Sequence, residues 1–583
     1  MVISYRNSMA SSRPLSRVQL QQAIQDIIER GNESDVDDDD DDLNTSDTES
    51  DSEGDHESIA SEDSDTQSSS DDETETTRST TVFTAKNGQQ WNSTFEETGK
   101  TRAHNIMKTR LNKVVLPPGV ILETPEDAFN LFITDQIVND IVAFTNNEAR
   151  RVTKDNNLKP WNDTDVVEMR AFFGLLLAAG HLKSNHQSYE VLWGSMYGPP
   201  IFRATMGRNR FKSLLRYIRF DDKLTRTARR SKDKLAPIRD IWEQIVNNLR
   251  KHYIPGANIT VDEQLVPFRG RCPFKQYLPS KPDKYGMKIW WACDSGTFYP
   301  LNAIPYTGKD VVRATGLGRQ VVEKLVEPYE GSNRNVTCDN YFTDHELALS
   351  LLSKGLTIVG TVRKNKTFIP PEFHPRADRP SQSSVFGFSK TTTLVSYVPK
   401  PRKAVVLLST MHHDSSVDEA NANKPEIIMY YNSTKGAVDT LDQEVHQYMS
   451  KRRTNRWPFA FFMNGLDVTG FAAFVIWTST YPQWKKTTHS RRRIFLTDIS
   501  EELVHPQVVR RSANGLQKST LRTVALLSAA RVPDEPTPKR QKKSRCYLCS
   551  GDRKQRQCCH SCEKNVCNEH STLHRLCNNC KGQ

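Results

Sequence analysis

The sequence predicts an α/β protein in which a mixed sheet lies between two helical regions. Three observations predict this class. Short β-branched or aromatic runs begin at Asn258 and alternate with helical patterns. Helical periodicity fills residues 102–257 and returns near residue 433. Eight of the eleven cysteines lie between Cys546 and Cys580, which adds a separate cysteine-rich tail.

Residues 1–101 have the composition of a disordered acidic region. Residues 33–76 hold 21 Asp or Glu and no Lys or Arg. Such a segment repels itself and has too few apolar side chains to bury a core. Its Ser-Asp-Glu pattern suits acidophilic phosphorylation and also a purely solvating tail, and both interpretations stay open. We expect residues 1–101 to be dispensable for chemistry.

The rest of the chain is strongly basic. Outside residues 33–76 the chain has 80 Lys or Arg against 49 Asp or Glu, a surplus of 31. This charge favours a polyanionic partner, nucleic acid above all, over a merely soluble basic protein. The first residues lack the apolar core of a signal peptide. The longest apolar stretch, Pro458–Tyr481, contains Asn464 and Asp467, so we expect a buried helix and no membrane span.

The individual elements follow from the local patterns. Residues 126–150, 168–180 and 240–253 repeat apolar side chains at helical spacing. The runs NITVDEQLVPF, KIWWACDSG and FYPLNAIPY predict three strands. A helix near 308–329, a strand NVTCDN, a helix DHELALSLLSKG and a strand LTIVGTV complete a β-β-β-α-β-α-β order. Residues 365–424, with Pro-rich loops and a hairpin, are interpreted as an insertion.

Aspartates in three separate segments make metal chemistry plausible. Asp262 lies inside the first strand, and Asp339 lies at the end of the fourth. Asp439 and Asp442 are three residues apart, which places both on one face of a helix. A carboxylate within an apolar strand is costly unless it is paired or binds a metal, and two-metal phosphoryl transfer needs several converging carboxylates. For any one of these residues, a turn cap or an arginine partner is the alternative.

The cysteine-rich tail predicts zinc. It contains four pairs with two-residue spacing, and each pair supplies half of a tetrahedral site. We expect a cross-brace around two structural zinc ions, since so short a segment needs metal to fold. Cys558, His560 and His574 are alternative ligands for the second ion, and free cysteines by chance are the remaining alternative. The first ion would take Cys546, Cys549, Cys567 and His570, and the second would take Cys559, Cys562, Cys577 and Cys580.

Several long motifs, in the same order, resemble the piggyBac transposase family. They are TVDEQLVPFRGRCPFKQYLPSKPDKYG, VTCDNYFTDHELALSLL, TIVGTVRKNK, YYNSTKGAVDTLDQ and RRTNRWP. The resemblance spans residues 102–583 and includes the cysteine-rich tail. It implies an RNase H-like catalytic core with an insertion domain, a split α-helical dimerisation and DNA-binding domain, and a zinc-binding C-terminal domain.

The resemblance also implies an activity and a set of site residues. Asp262, Asp339 and Asp439 match the DDD active site, which uses Mg²⁺ or Mn²⁺, and Asp442 matches a further motif aspartate. The family cuts and pastes double-stranded DNA at TTAA targets through end hairpins, and its tail helps to bind the transposon end. We expect a homodimer in the nucleus, and the run Lys539–Arg545 resembles a nuclear import signal.

The predicted domains follow the motifs along the chain. Residues 1–101 form the acidic region, and the remaining boundaries are 102–257 (first helical part), 258–364 (first core part), 365–424 (insertion), 425–448 (second core part), 449–535 (second helical part), 536–545 (basic linker) and 546–583 (zinc domain).

Basic residues that follow the motifs are predicted to contact DNA phosphates, which give affinity and register without reading sequence. A solvated surface charge is the alternative for each of them. They are Arg269, Arg271, Arg363, Lys364, Lys366, Lys451, Arg452, Arg453 and Arg456.

Two other functions stay open on the sequence. The first is a domesticated DNA-binding descendant that no longer transposes, although its aspartates are intact. The second treats the tail as a ubiquitin-ligase module, because its cross-brace resembles that of RING domains, but the tail offers few apolar residues for a conjugating enzyme.

Overall fold

The computed structural model describes residues 81–95, 111–279, 281–308, 316–512, 518–529, 544–550 and 564–571, with Leu516, Lys554–Gln555 and Cys559. The acidic segment 33–76 and most of the basic linker lie outside the described residues.

A β-hairpin forms where the sequence predicted no core-forming structure. β1 (Val82–Thr84) and β2 (Gln90–Asn92) pair antiparallel around an Asn-Gly turn. Gly88 has a φ of +85°, which favours glycine. Trp91 is fully buried, and its Nε1 donates to the backbone oxygen of Phe368 at 3.0 Å. Asn-Gly between two β-type runs was the missed signal, and the prediction of disorder was wrong for this segment.

The first helical region follows the predicted pattern. Thr124 and Asp127 form a reciprocal capping box at its first helix, and Thr134 and Asp165 cap the next two long helices. A two-stranded sheet joins the ends of the region. Its elements are β3 (Lys113–Val114), α1 (Pro125–Asn130), α2 (Asp135–Asp155), α3 (Val166–His181), α4 (Tyr189–Leu192), α5 (Pro200–Thr205), α6 (Arg208–Tyr217), α7 (Lys223–Arg230), α8 (Arg239–Lys251) and β4 (Tyr253–Ile254).

The central sheet has the predicted order along the chain, with one additional short strand, β6, after the first. Its core strands lie side by side as β8-β7-β5-β9-β10, and β6 pairs with the other end of β7. β7 runs antiparallel to both β5 and β8, whereas β9 and β10 run parallel to β5. The elements are β5 (Asn258–Pro267), β6 (Lys275–Tyr277), β7 (Tyr285–Asp294), β8 (Pro300–Pro305), α9 (Leu317–Val326), β9 (Asn335–Cys338), α10 (His345–Ser353) and β10 (Thr357–Thr361).

The inserted segment continues the same sheet. Its last long strand pairs antiparallel with β10, and its first strand pairs with β2 of the N-terminal hairpin. The predicted hairpin is therefore present, and it widens the core sheet instead of forming a separate sheet. The strands are β11 (Ser384–Phe388), β12 (Thr393–Lys400), β13 (Lys403–Ser409), β14 (Val417–Asp418) and β15 (Lys424–Pro425).

Helices resume earlier than predicted, directly after Pro425. The long helix that contains the apolar stretch is apolar enough to cross a membrane by length and composition, but 94% of its apolar window is buried inside the protein. It packs against α1, α8 and α12 as a core helix, as expected. The helices are α11 (Glu426–Thr434), α12 (Ala437–Gln447), α13 (Trp457–Thr480), α14 (Arg491–Ser512) and α15 (Lys518–Ala529), and the tail adds β16 (Ser544–Arg545) and β17 (Lys554–Gln555).

Candidate active site

The parallel pairing of β5 and β9 brings two predicted aspartates side by side. Val261 on β5 is in register with Cys338 on β9, so the next residues, Asp262 and Asp339, are neighbours at one point of the sheet. Asp262 accepts the backbone N–H of Glu263 at 2.8 Å. Asp339 accepts the backbone N–H of Tyr341 at 2.9 Å, which fixes the turn after β9.

Helix α12 brings the third aspartate to the same place. The helix packs on β5 and β7 through a buried apolar face that includes Val438 and Leu441. Asp439 lies in its first turn with its side chain 66% exposed, while the side chain of Asp442 is 17% exposed. The strand, strand-end and helix placement predicted from the sequence is therefore observed.

The negative charges of these carboxylates raise one another's pKa values. Burial raises the pKa of Asp262 well above its usual range, and the charges of Glu263, Asp339 and Asp439 raise it further. Burial, followed by the charge of Glu263, also raises the pKa of Asp339. Close carboxylates disfavour one another's ionisation until a proton or a cation neutralises them. Glu263 was missed by sequence reasoning, although it directly follows Asp262.

A lysine that the sequence analysis did not single out lies among these carboxylates. Lys281 Nζ lies 3.2 Å from Asp439 Oδ1 and donates to the backbone oxygen of Glu263 at 3.2 Å. Its pKa is raised although burial alone lowers it, because the charges of Asp439, Asp262 and Glu263 outweigh burial.

Asp442 is held in a hydrogen-bond network beside the cluster. Its Oδ1 accepts from Gln264 Nε2 at 2.9 Å and lies 3.3 Å from His446 Nδ1. His446 Nε2 lies 3.4 Å from Asp283 Oδ2. The hydrogen bond to Asp442 raises the pKa of His446 to about 9 against the effect of burial. Asp442 is therefore held by hydrogen bonds to neighbouring side chains, and His446 is a third residue that the sequence analysis missed.

Most of the predicted DNA-contacting residues are at least partly accessible. Arg269, Arg271, Lys364 and Arg453 are exposed. Arg363 is exposed as well, and its Nε donates to Asn340 Oδ1 at 3.4 Å, immediately after Asp339. These basic residues flank the segments that carry the aspartates.

Four further predicted contacts also donate hydrogen bonds within the protein. Arg452 is 3% exposed and donates to the backbone oxygens of Ser184 and Gln187 at 2.8 and 2.7 Å. It is a structural residue, which corrects its assignment to the DNA-contacting group.

The other three residues donate hydrogen bonds to acceptors that are not part of the aspartate cluster. Lys451 Nζ donates to the oxygen of Pro267 at 2.8 Å, and Lys366 Nζ to Asp344 at 2.9 Å. Arg456 donates to the backbone oxygen of Ile218 at 3.0 Å.

The first predicted zinc ligand set converges in the tail. The ligand atoms of Cys546, Cys549, Cys567 and His570 all lie within 4.8 Å of one another. His570 Nδ1 is 3.1 Å from Cys567 Sγ. Three thiols and one imidazole are a donor set that suits a tetrahedral metal.

Only one residue of the second predicted zinc set is among the described residues. Cys559 is fully buried and packs against Val566. Cys562, Cys577 and Cys580, and the alternatives Cys558, His560 and His574, lie outside the described residues.

Comparisons with known proteins agree on one family. Residues 124–474 match the family described as Transposase IS4. A cryo-EM structure of a piggyBac transposase synaptic complex with hairpin DNA is similar to this chain, with a TM-score of 0.67 and 38% identity, over 79% of this chain and 98% of that one.

Curated relatives are more distant. PiggyBac transposable element-derived protein 2 of Homo sapiens is 23% identical over 366 residues, which is 59% of this chain and 60% of that protein. PiggyBac transposable element-derived protein 3 of Homo sapiens is 24% identical over 370 residues, with the same two coverages. The chain thus spans about 60% of the length of these curated relatives.

Proposed function

Because the chain belongs to the piggyBac transposase family, we propose that it is a cut-and-paste DNA transposase whose active site is Asp262, Asp339 and Asp439. The observation that carries this proposal is the convergence of three carboxylates from β5, the end of β9 and the first turn of α12. The order of the core strands, with β5 central and β9 and β10 parallel to it, supports an RNase H-like core.

The donor set fits hard divalent cations. The three aspartates offer oxygen ligands, which suit Mg²⁺ or Mn²⁺, whereas zinc sites favour imidazole and thiolate. Ions bound there would activate the attacking oxygen and neutralise charge on the phosphate. The raised pKa of Asp262 supports this assignment, because a bound cation would let these neighbouring carboxylates be ionised together.

The surrounding side chains have two supporting roles. Gln264 and His446 fix Asp442, which sits one helical turn after Asp439 on the same face of α12. Arg269, Arg271, Arg363, Lys364 and Arg453 would hold the DNA backbone near the aspartates. From the family resemblance we also propose that the protein forms hairpins on the transposon ends and inserts them at TTAA targets. We propose further that it acts as a homodimer in the nucleus.

The decisive experiment pairs excision in cells with cleavage in solution. The chain is supplied with its flanking DNA ends on a plasmid, and the purified protein is incubated with end DNA and Mg²⁺. Asp262→Asn should abolish both activities and keep DNA binding, because asparagine has the shape but not the charge. Asp240→Asn, an exposed aspartate on α8, is the matched control. Cleavage by Asp262→Asn at the wild-type rate would refute the site.

The same experiment tests the alternative function, a DNA-binding protein that descends from a transposase and no longer transposes. The names of the two human relatives describe them as derived from a transposable element, so DNA binding without transposition is a second candidate. Wild-type protein that binds end DNA but neither cleaves nor excises would favour it.

We propose that the tail binds two zinc ions and recognises the transposon end. The converging Cys546, Cys549, Cys567 and His570 support the first ion, and thiolate with imidazole suits zinc over magnesium. Deleting the tail should weaken end binding and leave the aspartate site intact. End binding that survives this deletion would favour a protein-binding role, such as that of a ligase module.

A further inference from the structure

The loop between β6 and β7 places the ammonium group of Lys281 beside the carboxylate cluster. The backbone N–H of Leu278 donates to the oxygen of Lys284 at 2.7 Å, and that of Lys281 donates to the oxygen of Leu278 at 3.2 Å. These bonds tie the backbone of Leu278, Lys281 and Lys284 together. The backbone hydrogen bonds of the loop therefore fix the position of the Lys281 backbone.

The ammonium group lies between buried protein and the accessible side of the cluster. The Lys281 side chain is 18% exposed, and the Asp439 side chain that it contacts is 66% exposed. Its two observed acceptors are Asp439 Oδ1 and the Glu263 oxygen. An ammonium has three N–H donors, so one more acceptor can be bound beside these two.

A second contact fixes the loop to the same helix. His446 bridges Asp442 on α12 to Asp283 on the loop. Helix α12 thus holds the loop at Asp439 and again through His446. The lysine and the third aspartate are positioned as one unit.

We propose that Lys281 is a further catalytic residue, whose ammonium binds a non-bridging oxygen of the scissile phosphate. This rests on the proposed transposase function. In strand cleavage a water oxygen bonds to phosphorus and the phosphorus–O3′ bond breaks. The water loses a proton, and the leaving O3′ gains one from solvent. Lys281 keeps its proton and stabilises the charge that spreads over the phosphate oxygens.

The test compares two lysines of one loop. Lys281→Met removes the ammonium, and Lys284→Met removes an exposed charge three residues away. Single-turnover cleavage of end DNA at saturating Mg²⁺ should fall about 100-fold in Lys281→Met, the usual effect of removing one such donor. Lys284→Met should cleave at close to the wild-type rate. Both variants should keep the wild-type DNA affinity, and Lys281→Arg should recover part of the rate.

A modified substrate distinguishes phosphate binding from a structural role. End DNA is prepared with a methyl group in place of one non-bridging oxygen at the scissile phosphate, and each diastereomer is assayed. For the diastereomer that lacks the contacted oxygen, the rate difference between wild type and Lys281→Met should shrink. An undiminished difference for both diastereomers would overturn the proposal.

Two further results would also overturn it. If Lys281→Met cleaves at the wild-type rate and binds Mg²⁺ more tightly, the lysine is only a counter-ion. If it loses thermal stability and DNA binding together, and Lys281→Arg does not restore them, the lysine is only structural. Wild-type protein without Mg²⁺-dependent cleavage would refute the proposed function itself, which is a different outcome.

Discussion

Asp467 gives the protein a pH-dependent stability that one substitution should remove. This carboxyl lies on the long core helix α13, and its Oδ1 and Oδ2, at 3.0 and 3.1 Å, share the backbone N–H of Ser450 as donor. Burial raises its pKa to about 8, although the hydrogen bonds from Ser450 oppose the rise. The folded protein therefore keeps this proton up to about pH 8, whereas the unfolded chain loses it near pH 4.

The sign and size follow from proton linkage. Between these two pKa values the folded state binds more protons than the unfolded state, so stability falls as the pH rises. One pKa unit corresponds to about 1.36 kcal/mol. Between pH 6 and pH 8 this carboxyl alone should lower the free energy of unfolding by about 2 kcal/mol. In Asp467→Asn that loss should be absent.

The assay is equilibrium urea unfolding at pH 6, 7 and 8, followed by tryptophan fluorescence, since Trp457 and Trp477 lie on the same helix. The difference in unfolding free energy between Asp467→Asn and wild type should grow by about 2 kcal/mol from pH 6 to pH 8. Asp240→Asn, which removes an exposed carboxyl on α8, should show no such growth. A difference that stays constant over this pH range would refute the reasoning.

Removing residues 1–80 should preserve the melting temperature and keep or raise DNA affinity at low salt, because it takes away the acidic segment and spares the hairpin. Removing residues 1–95 should lower the melting temperature, and Trp91→Ala should cost about 3–5 kcal/mol; equal melting of the two truncations would contradict this. Cys549→Ser should reduce the zinc content measured by elemental analysis from about two ions per chain, and unchanged content would count against the ligand set. Arg453→Ala should weaken DNA binding without changing the melting temperature, whereas Arg452→Ala should lower the melting temperature; the reverse pattern would restore Arg452 to the DNA-contacting group.

Local pattern was sufficient to place the aspartates on their elements. Asp262 interrupts an apolar strand, Asp339 ends one, and Asp439 begins an amphipathic helix. Each of these features is readable within about ten residues of sequence, where periodicity is informative. Their convergence then follows from the parallel pairing of β5 and β9, which the β-β-β-α-β-α-β order favours.

The supporting residues could not be predicted because their partners are distant in sequence. Gln264 reaches Asp442 across 178 residues, and Lys281 reaches Asp439 across 158. In the Lys-Arg-Arg run, burial distinguishes Arg452 from Arg453, and only the packed structure decides burial. The sequence does show which residues are chemically capable, while tertiary packing decides which of them meet.

The hairpin of β1 and β2 leaves the ribosome long before its binding site exists. Trp91 and the Phe368 oxygen that it binds are 277 residues apart. At about 5–20 residues per second, roughly 15–55 s pass between their syntheses. During that interval a large indole ring and an unpaired strand edge stand exposed, and such surfaces promote aggregation of nascent chains. The strongly acidic segment, residues 33–76, is synthesised just before the hairpin. We expect like-charge repulsion between such segments to keep neighbouring nascent chains apart until β11 and the Phe368 segment have been made.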